Sequence, residues 1–147
     1  MKNLMLLITL ALMVFPGVGT AYAQEEHIHI MVDIDVKPGS FPNTIQLKNK
    51  GVIPVALFGS VTFDVRQVDT TTVRFGPVHH HMDSGAPAVR VNAEYVNGDG
   101  YLDLVFYFRT DQTGLQPGDT RACLHGELLD MDGTHFCGED DIRVIGY

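Results

Sequence analysis

The sequence predicts an all-β domain, a single antiparallel β-sandwich of about seven to eight strands, and three observations carry that prediction. Within Glu26 to Val36 a β-branched apolar residue takes every second position from Ile28 to Val36. Asn97-Gly98-Asp99-Gly100 joins two apolar stretches with a strong short-range hairpin signal. No segment after residue 23 repeats at helical period. Short strands between frequent turns each bury one face, and two facing layers cover them.

The elements follow in order. Between Glu26 and Val36, Ile28, Ile30, Val32, Ile34 and Val36 share one face and His27, His29, Met31, Asp33 and Asp35 the other, the pattern of a half-buried strand. Lys37-Pro38-Gly39-Ser40 ends it with a turn. A second strand is expected over Thr44 to Lys48. Gly51 to Phe58 is apolar on both faces and suits a buried strand, although Pro54 lacks an N–H and needs an edge position or a bulge. Asp64 is placed to cap one helical turn between Phe63 and Asp69, after which Thr72 to Phe75 resumes as a strand. Ala88 to Val96 and Tyr101 to Arg109 form the hairpin, with Leu102, Leu104, Phe106 and Phe108 inward from one arm and Val89, Val91, Ala93 and Tyr95 from the other. Pro117-Gly118-Asp119 turns the chain into Thr120 to Leu129, where Ala122, Leu124, Gly126 and Leu128 face in and Arg121, Cys123, His125 and Glu127 face out. A last strand covers Ile142 to Ile145.

Composition narrows the function. The 147 residues hold 10 Lys+Arg against 18 Asp+Glu, a formal charge of −8, and the cations are scattered singly, so nucleic acid is not an expected partner. Lys2, the apolar run from Leu4 to Phe15, a Pro16-Gly17 break and Ala21-Tyr22-Ala23 read as a Sec-type signal peptide over residues 1–23, with cleavage before Gln24. The mature domain, 24–147, is then acidic, periplasmic or extracellular, and has no apolar run long enough to span a membrane.

Few residues point to chemistry. Cys123 and Cys137, in an exported chain, are candidates for a disulfide worth roughly 3 kcal/mol in the chain-entropy model. If Asp130 to Gly133 is the turn, however, Cys137 faces Gly126, and Cys123 lies ~10 Å along the strand, beyond bridging distance unless the hairpin bends or turns around Asp130. The other reading is two free or intermolecular thiols. His27 and His29 share a strand face and His79, His80 and His81 lie in a turn-rich segment. These imidazoles could hold Zn²⁺, Ni²⁺ or Cu²⁺, although adjacent histidines do not converge on one ion and no H-E-x-x-H is present. No serine stands in G-x-S-x-G and no Gly-rich phosphate loop opens a helix, so no catalytic residue is assigned. In Tyr95 to Asp103, Asn97, Asp99, Gly100 and Asp103 fit positions 3, 5, 6 and 9 of a calcium loop, while Tyr95 stands where position 1 needs an acid and Phe106 where an EF-hand has Glu. The same residues also read as a plain N-G/D-G hairpin turn.

Three strings carry a resemblance: Ile34-Asp35-Val36-Lys37-Pro38-Gly39-Ser40-Phe41-Pro42-Asn43-Thr44-Ile45, Lys50-Gly51-Val52-Ile53-Pro54-Val55-Ala56, and Val96-Asn97-Gly98-Asp99-Gly100-Tyr101-Leu102-Asp103-Leu104-Val105 continuing to Phe108-Arg109-Thr110. Over about Asp33 to Val144 the chain resembles an accessory β-module of secreted and surface proteins of bacteria and archaea, one with no assigned activity. Relatives tend to have Asp where this chain has Tyr95, which makes their loop resemble the calcium loops of dockerins and integrin-type repeats. The resemblance implies a non-catalytic binding or structural module with an extracellular or envelope partner, steadied by weak Ca²⁺ at Asn97, Asp99 and Asp103 if the loop binds it. The alternative is an exported metal-binding protein using the histidines, and a small hydrolase comes third.

Overall fold

The computed structural model describes residues 29–78, 84–130 and 132–146. The expected signal peptide, His27 and His79 to His81 lie outside these residues. The described chain is all-β: β1 (His29–Met31), β2 (Ile34–Val36), β3 (Thr44–Gln46), β4 (Val52–Leu57), β5 (Val68–Pro77), β6 (Ala86–Glu94), β7 (Asp103–Arg109), β8 (Arg121–Leu128), β9 (His135–Asp141) and β10 (Arg143–Ile145), with 3₁₀ turns at Val65–Gln67 and Thr110–Gln112. Asp64 caps the first 3₁₀ turn, its carboxylate accepting from the Arg66 N–H, as its position predicts. Among the described residues no helix is long and apolar enough to cross a membrane.

Eight strands form one curled sheet in the order β1-β9-β8-β5-β6-β7-β4-β2, and β3 and β10 make a separate pair. Most pairings are antiparallel, but β1 with β9 and β10 with β3 are parallel. Parallel neighbours need a long connection, and these two pairs join strands near the two ends of the described chain. The expected strand over 26–36 is divided. Its first part pairs with β9 and its second with β4, so this one segment touches both edges of the sheet. The Val32 N–H donates to the Cys137 carbonyl at 3.0 Å and the Phe58 N–H to the Asp33 carbonyl at 3.0 Å, one bond to each edge. The alternation persists through the division, since Ile30, Val32 and Ile34 pack on the core and Val36 is buried.

Pro54 sits inside β4, between β2 and β7. Its carbonyl accepts from the Lys37 N–H at 2.8 Å. In an extended strand the nitrogen and carbonyl of one residue point to the same side, so the ring faces the place where β2 has already ended, and no strand donor is lost.

Phe75 stacks on Phe108 at 5.2 Å and Phe63 tilts against Phe136 at 5.9 Å, closing one core between the two halves of the curl. Leu104, Phe106 and Phe108 are buried and Leu102 packs at the core's margin, as expected. The other hairpin arm departs from expectation: Val89, Val91 and Tyr95 are exposed. Register places Val91 opposite Phe106 and Ala93 opposite Leu104, the predicted face. However, β5 accompanies β6 only as far as Pro87, and the register shifts between Ala88 and Arg90. Beyond that bulge β6 is an edge, and the facing half of the sheet does not reach it.

Candidate functional site

An open groove of about 390 Å³ lies at the end of the sheet where segment 59–66 meets the β6–β7 hairpin. One buried carboxylate fixes both banks. Asp103, 0% exposed, accepts from the Gly59 N–H at 3.0 Å and from the Val96 N–H at 2.8 Å. Gly59 has to be glycine, because a Cβ there would run into the Leu102 carbonyl. The Ser60 hydroxyl accepts from the Phe63 N–H at 3.1 Å and folds the first bank into a tight turn. On the opposite bank the Asp99 carboxylate accepts from the Tyr101 N–H at 2.9 Å. Both banks are therefore held by short side-chain to backbone hydrogen bonds.

Apolar and paired charged groups line the groove. Val61, Tyr95 and Tyr101, 82%, 68% and 42% exposed, all border it. Beside them Arg66 donates from Nε to Asp64 Oδ1 at 2.9 Å and from Nη2 to Oδ2 at 2.8 Å. These hydrogen bonds hold the Asp64 carboxyl below its ordinary range and the Arg66 guanidinium above its own, with Tyr95 adding slightly to the latter. Asp64 and Arg66 are the charged residues of the lining, and they neutralise each other.

The three residues expected to hold calcium are therefore placed apart in role. Asp103 is buried with both oxygens on backbone N–H groups. Asn97 and Asp99 are exposed and bonded to each other, Asn97 Nδ2 donating to Asp99 Oδ2 at 3.1 Å. The sequence pattern pointed to this loop as the chemical centre but did not foresee the groove. Simple alternation puts Tyr95 inward, whereas it is exposed, and the contribution of segment 59–66 arises from a contact 44 residues away in sequence.

The outer face of β8 and β9 gathers a second set of groups. The expected Cys123–Cys137 disulfide is not formed. The sulfurs lie 2.9 Å apart as free thiols, against about 2.05 Å for a bond. The hairpin register is one residue off the expected one: Cys137 faces His125 and Cys123 faces Glu139. The cysteines are thus diagonal neighbours across the β8–β9 pair. Their hydrogen bond, reinforced by burial, pushes the Cys123 thiol up, while the same bond draws Cys137 down, so the pair favours the proton on Cys123. His125, buried, lies 3.9 Å from the Cys123 sulfur through Nδ1. His29 stacks on His135 at 5.8 Å, and His135 lies 3.9 Å from Glu127. A polar hollow of about 260 Å³ adjoins them, lined in part by Thr72, Arg74, His125, Glu127 and His135. Of the expected metal histidines only His29 is among the described residues, and among those residues no three His, Cys, Asp or Glu side chains form a group able to hold a metal ion. His135 carries no local signal of this neighbourhood, because His29 reaches it only through the parallel β1–β9 pairing.

No protein-family model, curated protein or solved structure matches the chain.

Proposed function

We propose that the protein is an exported, non-catalytic binding module that works through the groove between segments 59–66 and 95–102. The observation that carries this reading is the gathering of Val61, Tyr95 and Tyr101 at the surface around one groove whose banks are fixed from below by Asp103. Exposed apolar side chains scattered singly are ordinary on any surface, whereas a cluster on a rigid concave site is the usual mark of binding. Supporting it, the residues that carry the family resemblance serve the scaffold: Val36 and Val55 are core, Lys37 Nζ donates to the Thr44 carbonyl at 2.6 Å, and Asp103 ties two loops. Residues occupied in this way hold a shape and leave recognition to the groove. Ca²⁺ is not needed for this reading, because Asp99 and Asp103 already hold the hairpin loop and its neighbour through hydrogen bonds.

The test is retention of the exported form, identified by an N-terminus at Gln24, on the envelope or surface fraction of its own cells. Wild type is expected to be retained, and Tyr95→Ala with Tyr101→Ala to be released into the soluble fraction with an unchanged melting temperature. Equal behaviour of the two proteins would overturn the proposal.

A further inference from the structure

We infer that the ligand of this groove is a neutral oligosaccharide chain. The inference rests on the binding-module reading above and adds the chemical class of the occupant. Asp64 and Arg66 close on each other through two short hydrogen bonds, so the lining carries no net charge. A phosphate or carboxylate ligand would find no free cation there, and a cationic ligand no free acid.

A sugar ring has a flat face of C–H groups and a rim of hydroxyls, so it is matched by aromatic faces beside planar hydrogen-bonding groups. Tyr95 and Tyr101 offer two amphipathic rings, and the Asp64–Arg66 pair offers a flat edge with donors and acceptors side by side. At about 390 Å³ the groove falls within the usual range of about 300–1,000 Å³ for small-ligand sites, yet it is open, so it accommodates a few sugar units of a chain that continues beyond it. Because Asp103, Asp99 and Ser60 hold the banks, binding has little loop ordering to overcome, which matters for a ligand whose individual contacts are weak.

Affinity electrophoresis of the purified mature protein tests this in native gels containing laminarin, dextran, galactomannan or arabinoxylan, with alginate as an anionic control. It is paired with co-sedimentation on cellulose and chitin. Retardation or sedimentation by at least one neutral polysaccharide is expected, unaffected by moderate salt. Tyr95→Ala and Tyr101→Ala are each expected to weaken it roughly tenfold, as truncation of an aromatic anchor does. Tyr95→Phe, which keeps the ring, should retain most of it. Val61→Ser, on the other bank, supplies a variant that leaves the hairpin untouched, and melting temperatures confirm folding throughout. No response to any neutral polysaccharide, preference for alginate, or binding that survives loss of both tyrosines would overturn the inference. Retention on the cell-surface fraction that protease treatment of that fraction abolishes would identify a peptide ligand, overturning the saccharide while leaving the binding module standing.

Discussion

At the scale of single residues, Asp103 acts as a fastening between two loops. It stands at position 9 of the calcium-loop pattern and is buried with two backbone N–H partners. Asp103→Ala would leave both donors without an acceptor, at roughly 1–3 kcal/mol for each that stays buried. Urea denaturation should show a loss of that order, and binding through the groove should fall with it. A nearly neutral variant would mean that the two loops are held by other means. The hydrogen bond between the two thiols raises Cys123 and lowers Cys137, which is also the less buried of the two. Iodoacetamide at limiting concentration is therefore expected to label Cys137 ahead of Cys123 in the reduced protein, as read by peptide mass spectrometry, because the thiolate is the nucleophile. Preferential labelling of Cys123 would contradict this assignment.

Among the elements, β7 binds the fold together. It is paired on both sides, by β4 and β6, and buried on both faces, with Phe106 and Phe108 in the core and Val105 covered on the other side. Phe106→Ala is expected to cost about 3–5 kcal/mol in denaturant unfolding, the usual range for removing a buried phenylalanine. β6 is its opposite in character. Its N-terminal end is enclosed by β5 and β7, and past the bulge it runs as an edge with Arg90 stacked 3.9 Å over Tyr107. Register puts Val91 and Ala93 on the same side as Phe106 and Leu104, yet both are exposed. Whether that face is covered depends on how far the opposite half of the sheet extends, which no local pattern encodes. The groove owes its exposed Tyr95 to that shortfall.

For the molecule as a whole, the segment 29–36 meets both edges of the curled sheet and brings β2 against β9. One titration reports on that closure. Burial, and then the nearby charge of Asp140, push the Asp35 carboxyl above its ordinary value. A raised carboxyl pKa favours folding when the group is protonated, so its contribution is full below the unfolded value of about 4 and is lost as pH rises through the folded one. Asp35→Asn should therefore raise the melting temperature at pH 7, with the gain shrinking to nothing as pH falls below about 4. A gain that persists in acid would point to packing instead of charge. Asp64, Asp111 and Asp130, each lowered by hydrogen bonds, act in the reverse sense but lie in solvent, where screening leaves them little weight. The all-β class, the hairpin, the Asp64 cap, the inward face of β8 and the burial of Phe106 and Phe108 were legible in the sequence because each depends on periodicity or turn chemistry within a few residues. Tertiary structure alone decided the division of the first strand between two edges, the parallel pairings, the diagonal thiols, the burial of Asp103 and the groove beside it. These depend on contacts between segments from 14 residues apart, at the thiols, to about a hundred, at the first strand, where register and sheet curvature, not local preference, determine which side chains meet.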